Sequence, residues 1–230
     1  MKVKSISLAV TAALALGFSI GAVAGTQNET ATINQSGVAQ SASIDQNNSA
    51  NDVATINQSN FRNDASINEK NTGSNTAAVT QQGQKDDASI KTTGGGYNWT
   101  SVYQGGNHDD ATVKQTNEIA DTTKVTQTGD YNSASIQQSG GHNNYATVTQ
   151  SYGGNTADLA QEEAYSSSTT IGQGGGFANY ASTTQSGTNE SISVSQNGYF
   201  NTAFVSQNGS NDHATVSQQG SGHYASITQH

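Results

Sequence analysis

Ala31-Thr32-Ile33-Asn34-Gln35 and Ala42-Ser43-Ile44-Asp45-Gln46 are two copies of one box, Ala-Ser/Thr-Ile/Val-x-Gln. The box recurs eighteen times and closes with Ala225-Ser226-Ile227-Thr228-Gln229. From Gln35 to Gln173 its last residue returns after 11 and 12 residues in alternation, so the full period is 23. A short repeat running from end to end predicts a stack of equivalent strand units rather than a globular core.

Counting back from the closing Gln as position zero exposes the logic of the unit. Position −2 is aliphatic in seventeen of eighteen boxes, as at Ile33, Ile44, Ile56, Ile67, Val79, Val205, Val216 and Ile227, with Thr183 the exception. Position −4 is Ala in fourteen, the departures being Thr100, Thr123, Thr169 and Ile192. Position −6 is Asn or Asp in thirteen, among them Asp52, Asn63, Asn75, Asn132 and Asn201. Position zero keeps Gln at Gln35, Gln46, Gln58, Gln81, Gln207, Gln218 and Gln229, and changes to Glu69 and Thr92 in two boxes. The intervening positions are mostly polar. Period-two alternation over about six residues turns one set of side chains inward and the other to water.

Segments between boxes, such as Ser36-Gly37, Asn208-Gly209 and Thr128-Gly129-Asp130, carry the residues of tight turns. Each 23-residue unit therefore reads as strand, turn, strand, turn. The expected fold is all-β: a β-solenoid of about nine double units, becoming cross-β on polymerisation. At the interstrand spacing of about 4.8 Å the stack is a rod of roughly 40 Å. Inward Gln and Asn are costly unless paired, and a stack offers the pairing, because amides repeated at one height form ladders along the axis. The ladder at Gln35, Gln46, Gln58, Asn63, Asn75, Gln81, Asn201, Gln207, Gln218 and Gln229 is the candidate self-assembly surface. The first box starts near the N-terminal leader and the last ends at Gln229, so neither end is expected to carry a cap over its strand edge.

Leu, Ile, Val and Phe together number 34 of 230 residues, a share typical of disordered chains. The periodic placement of those few residues is what argues for a fold. Pro is absent, so nothing interrupts strand pairing, and Cys is absent, which excludes disulfides and thiolate metal sites. Lys2 and Lys4, an apolar stretch from Ile6 to Ile20, and Ala22-Val23-Ala24 read as a secretory signal peptide over 1–24, cleaved after Ala24. Residues 25–28 then form a short N-terminal segment and 29–230 the repeat domain, with no transmembrane segment left after cleavage. Removal of the leader leaves six basic residues against 17 acidic ones, a balance unsuited to nucleic acid or anionic membranes.

The pattern Gln-x-Gly-x-x-Asn-x-Ala-x-x-x-Gln, running from Gln127 through Asn132 and Ala134 to Gln138 and from Gln196 through Asn201 and Ala203 to Gln207, resembles the curlin repeat. Curlins are subunits of curli, bacterial extracellular amyloid fibres that support surface adhesion, cell aggregation and biofilm matrix. The resemblance covers essentially the whole chain after the leader. It implies a homopolymer at the cell surface, with a nucleator subunit, an outer-membrane secretion channel, and host or abiotic surfaces as partners. The alternation of 11 and 12 is similar to the major fibre subunit. The even spacing of 11 after Gln185 is similar to the minor, nucleating one, which is the alternative. The major subunit also has a channel-recognised segment of about two dozen residues after its leader, where this chain has only Gly25 to about Asn28. Within the resemblance, the charged inserts that include Asp86, Asp87, Asp109, Asp110, Glu162 and Glu163 are candidate gatekeepers against premature assembly. They are equally readable as solvated turn residues.

Other functions find little support. His108, His142, His213, His223 and His230 share no ligand spacing, Gly94-Gly95-Gly96 precedes no helix that could hold a phosphate, and no Ser/His/Asp arrangement stands out. No enzyme, cofactor or metal is expected. A monomeric solenoid that binds a regular surface such as ice wants a flat Thr-x-Thr ladder, and among the boxes little besides Thr147 and Thr149 supplies it. A passive adhesin or host-receptor ligand, active without polymerising, is a second rival.

Overall fold

The protein was analysed as a computed structural model, which describes residues 6–13, 19–23 and 28–230. Twenty strands follow one another. They begin with β1 (Ile6–Ala13), β2 (Ser19–Val23), β3 (Glu29–Val38), β4 (Ser41–Asn47), β5 (Val53–Phe61), β6 (Asp64–Lys70) and β7 (Thr76–Gln81). The middle of the chain forms β8 (Asp87–Gly96), β9 (Trp99–Gln104), β10 (Asp110–Ile119), β11 (Thr122–Thr128), β12 (Ser133–Ser139) and β13 (Tyr145–Ser151). The remainder are β14 (Thr156–Tyr165), β15 (Ser168–Gly174), β16 (Tyr180–Thr188), β17 (Ser191–Tyr199), β18 (Thr202–Ser210), β19 (His213–Ser221) and β20 (Tyr224–Gln229).

Odd-numbered strands make one ten-stranded parallel sheet and even-numbered strands the other. Each strand pairs with the strand two ahead, so the chain coils as a β-solenoid of strand-turn-strand rungs, as the period of 23 predicts. Register follows the box: Ile33 faces Ile56, Gln35 faces Gln58, and Ala134 faces both Ala111 and Ala157. A one-residue slip would turn every Ile and Gln outward, which fixes the register strongly. The inward faces of both sheets meet in one core of Ala, Ile and Val from Ala31 to Val216, with Ala225 and Ile227 at its margin.

Irregularities in spacing are absorbed at the corners. The corner that follows Gln161 spans 162–166 and the next corner of that edge, which follows Gln185, spans 186–189, one residue fewer, while 174–178 is one longer than the other corners on its edge. Gln161 still faces Gln185, and Gln173 still faces Gln196. The columns therefore hold register and the turns take up the difference.

The residue just before position −6 takes a left-handed conformation in rung after rung, at Ala39, Asn51, Arg62, Lys85, Tyr97, Tyr131 and Phe200 among others. The sequence suggests Gly and Asn for such corners, yet bulky residues occupy many of them, tolerating a conformation that costs roughly 1–2 kcal/mol. Close approach is stricter. At Gly129, φ is 148° and a Cβ would lie 1.7 Å from the Tyr152 carbonyl oxygen of the next rung. Gly129→Ala is expected to destabilise the fold by about 2 kcal/mol or more through clash and backbone strain, read as a lowered denaturant midpoint.

β1 pairs with β3 and β2 with β4, continuing the stack beyond the first box. The leader assignment concerns this segment. Its basic residues Lys2 and Lys4, and the cleavage position at Ala24, lie outside the described residues, as do 25–27 of the short N-terminal segment. Among the described residues no helix is long and apolar enough to cross a membrane.

Candidate functional site

The candidate site is the set of side-chain columns along the rod and the two rungs at which they end. In the odd-numbered sheet the position-zero Gln side chains form an unbroken chain. Gln35 Nε2 donates to Gln58 Oε1 at 2.7 Å, Gln58 to Gln81 at 2.7 Å, and Gln81 to Gln104 at 2.9 Å. The series runs on through Gln127, Gln150 and Gln173 to Gln196, which donates to Gln218 at 2.8 Å. The second amide hydrogen crosses to the facing sheet: Gln58 donates to the Ser41 carbonyl at 2.8 Å and Gln104 to the Asp87 carbonyl at 2.8 Å. Each Gln thus ties its rung to the next and one sheet to the other, three bonds that a shorter or apolar side chain could not make.

The even-numbered column is less uniform. Gln46 Nε2 donates to Glu69 Oε2 at 2.9 Å, and Thr92 Oγ1 lies 3.4 Å from Gln115 Oε1. Beyond it, Gln115, Gln138, Gln161 and Gln185 bond in sequence. Gln207 sits between Gln185 and Gln229, with side-chain contacts of 3.2 and 2.7 Å. The Thr departures at position −4 find their reason here. Thr100 donates to Gln115 at 2.8 Å, Thr123 to Gln138 at 2.5 Å and Thr169 to Gln185 at 2.5 Å. All three lie in the odd-numbered sheet and reach across the core. The sequence signal was available, since these boxes lie on one sheet once alternate boxes are separated, but their partners required the fold.

The position −6 columns pair differently from the Gln columns. Asn63 Oδ1 accepts from the Asp86 backbone N–H at 3.1 Å, and Asn75 Oδ1 from the Asn98 N–H at 2.9 Å. Where the amide nitrogen is used it reaches the corner carbonyl of the next rung, as from Asn63 to Gly83 at 3.1 Å and from Asn201 to Gly220 at 3.0 Å. The Asn side chain, one methylene shorter than Gln, stays beside its own backbone and satisfies the groups that a corner leaves without ladder partners. Amide-to-amide contact recurs where Asn stacks on Asn, as between Asn201 and Asn179 at 3.0 Å.

This accounting divides the six charged candidates. Asp86 and Asp109 are position −6 residues and are buried, whereas Asp87, Asp110, Glu162 and Glu163 are exposed. Counting six back from Thr92 and Gln115 gives the same division. An Asp at −6 can accept, and Asp86 Oδ1 takes the Asp109 N–H at 3.1 Å, but it has no amide to donate. Oδ2 of Asp86, Asp109 and Asp121 is buried without a partner. Burial accordingly raises Asp86 to about 7 and Asp109 to about 6, against the lowering effect of their backbone hydrogen bonds. Glu69 is raised to about 8 by burial, with Asp52 and Glu29 adding to it and the Gln46 hydrogen bond opposing it. Glu118, which the sequence reading did not single out, is buried at a corner with both oxygens 3.1–3.2 Å from the Gly141 N–H. Burial first, then neighbouring Asp121, pushes its pKa up. On the solvent face Asp64, Asp87 and Asp110 stand in register on adjacent strands.

The ends complete the site. β20 has one neighbour, β18, and β19 has β17. Between them opens a cavity of about 510 Å³ lined by Val216, Gln218, Ala225 and Ile227. Toward the other end, in the rung of β3 and β4 on which β1 and β2 stack, Gln35 Oε1 and Gln46 Oε1 are buried without a donor.

A family model for the curlin-associated repeat matches residues 120–151 and 201–230. Those two segments carry curlin repeats. The matched segments contain three successive boxes each, closing at Gln127, Gln138 and Gln150 and at Gln207, Gln218 and Gln229. The remaining boxes occupy the same columns and share the same strand pairing. No curated protein sequence matches the chain. Among the described residues no group of three or more His, Cys, Asp or Glu side chains is placed to hold a metal ion.

Proposed function

We propose that the chain is the structural subunit of a curli-type extracellular fibre and that it adds head to tail through its two end rungs. The observation that carries this reading is the polarity of the Gln columns. In the odd-numbered column every Gln amide donates toward the C-terminal side, as Gln46 does in the even-numbered one, so the rung of β3 and β4 presents acceptors, Gln35 Oε1 and Gln46 Oε1, that have no donor. Gln218 and Gln229 stand at the donating end of the same two columns, each with a hydrogen to spare once its bond to Thr202 or His213 is made. Stacking Gln35 of one copy on Gln218 of another, and Gln46 on Gln229, would continue both columns. Ile33 would then cover Val216 and Ile44 would cover Ile227. The leader segment pairs with β3 and β4, so its removal would free the accepting edge.

On this reading the fibre lies outside a bacterial cell and supports surface adhesion, cell aggregation and biofilm matrix. A nucleating subunit and an outer-membrane secretion channel are its partners, and the exposed Asp87 and Asp110, aligned with Asp64, slow premature stacking by like-charge repulsion. The even spacing after Gln185 favours the nucleator as the second reading. Fibre diffraction of residues 25–230 diluted from denaturant should give reflections near ~4.7 Å and ~10 Å from elongated fibrils. A persistently soluble, folded monomer would overturn the proposal.

A further inference from the structure

The position −6 column of the odd-numbered sheet reads Glu29, Asp52, Asn75, Asn98, Asp121, Asn144, Ser167, Glu190 and Asp212 from one end to the other. Two acids stand at each end, and one stands among the five residues between. The corresponding column of the even-numbered sheet ends in Gln40 and His223 and has its acids, Asp86 and Asp109, inside. Within the rod no more than two acids of the first column stand together, and Asp121 is flanked by Asn on both sides. At a head-to-tail joint the two pairs would merge: Glu190 and Asp212 of one copy would meet Glu29 and Asp52 of the next in four consecutive rungs.

We propose that the joint between chains is a pH-gated contact, held open by charge on these four carboxyl groups and closed when protons neutralise them. The proposal rests on the head-to-tail reading above. The rungs of the joint would lie about 4.8 Å apart, a distance at which like-charged carboxylates shielded from water cannot all ionise. The pattern of the column sets the geometry. Asp121 Oδ1 accepts from the Asn144 N–H at 2.7 Å and Asp52 Oδ1 from the Asn75 N–H at 2.8 Å, so Asp212 Oδ1 would accept from the Glu29 N–H of the next copy. Asp212 Oδ2 and Glu190 Oε2 are already buried without hydrogen-bond partners, although Glu190 Oε1 accepts from the Gly209 N–H at 2.7 Å. Glu29 and Asp52 are buried too, at 1% and 0% exposure. Burial raises the Glu190 pKa, and Asp212 adds to it.

His230 lies at this corner, its backbone carbonyl carbon 3.3 Å from where a Cβ on Gly209 would stand. Glu69 of the even-numbered sheet faces Asp52 and Glu29 and adds a fifth carboxyl. Lys70 and His213 point to solvent. His223 begins its rung at the opposite corner. Asp45 and Asp64 on β4 and β6, Tyr199 on β17, Tyr224 on β20 and His230 just after it are the other titratable side chains at the joint.

Elongation of preformed seeds by the chain lacking residues 1–24 tests this at pH 5 and pH 7.5. The wild-type rate should fall about tenfold or more at the higher pH, where each tenfold corresponds to one pKa unit of a gating group. The Glu29→Gln/Asp212→Asn variant, which uses residues native to these columns, should lose most of that dependence. Asp86→Asn/Asp109→Asn, altered away from the joint, should keep it. A Glu29→Gln/Asp212→Asn variant as pH-sensitive as the wild type overturns the gate while leaving head-to-tail growth intact. Seeds that no variant extends at either pH overturn the head-to-tail reading and the gate with it.

Discussion

Gln104→Ala is expected to destabilise the solenoid by about 3 kcal/mol or more, at roughly 1–3 kcal/mol for each buried group left without a partner. Three groups are stranded at once: the Gln81 amide that donates at 2.9 Å, the Gln127 Oε1 that accepts at 3.0 Å, and the Asp87 carbonyl of the facing sheet. The lost side-chain volume adds a void. Asn57 supplies the control. It is also in a column, 2.8 Å from Asn34, but on the solvent face, so Asn57→Ala should cost no more than about 0.5 kcal/mol. Denaturant midpoints of the two variants decide the matter. Equal shifts would show that the Gln column contributes no more than a surface ladder and would remove the basis for its role in assembly.

The second large effect is a loss of stability as pH rises. An acid whose folded pKa lies above its unfolded value keeps its proton in the fold where the unfolded chain has released it. Its contribution is therefore complete below about 4 and is lost as pH climbs through the folded value. Asp109, Asp86 and Glu69 place that loss at about 6, 7 and 8 in turn. At about 1.4 kcal/mol per pKa unit, Glu69 alone brings the effect to a few kcal/mol. The denaturant midpoint should decline steadily from pH 5 to pH 8.5. The Glu69→Gln/Asp86→Asn/Asp109→Asn variant should raise the midpoint at pH 8.5 and flatten the slope, because each change restores the residue that the column elsewhere uses. A wild-type midpoint constant over that range, or an unaltered slope in the variant, would contradict the burial of these charges.

Both effects trace to the same cause, which is that this fold has little apolar surface to bury. Ala and one aliphatic residue per box make a thin core, so polar side chains must sit inside and be satisfied there. A column satisfies them cheaply when every rung presents the same residue. Each deviation is then felt by two neighbours: Thr100, Thr123 and Thr169 are compensated by facing Gln residues, Glu69, Asp86 and Asp109 are titratable, and Thr183 leaves its hydroxyl buried without a partner.

How much of this could be read from the amino acids alone follows from the geometry of strands. Side chains alternate with period two, so the inward set of Asn, Ala, Ile/Val and Gln, the register and the nine rungs from β3 to β20 were determined by the sequence itself, whereas no box marks the tenth, β1 with β2. The same counting separates Asp86 from Asp87 and Asp109 from Asp110, although as pairs of adjacent acids they look alike. What the tertiary structure decided lies between rungs and across the core. It made position −6 a partner of the next rung's backbone N–H groups as well as of its own kind, because a short amide at a corner lies beside the next turn of backbone. It brought the Thr residues of one sheet to the Gln residues of the other, and it placed left-handed residues as bulky as Tyr131 and Phe200 at the corners. It also gave the Gln columns a direction, donors toward one end and acceptors toward the other. Those relations join residues about 15 or 23 positions apart, and only coiling of the chain brings them within hydrogen-bond reach.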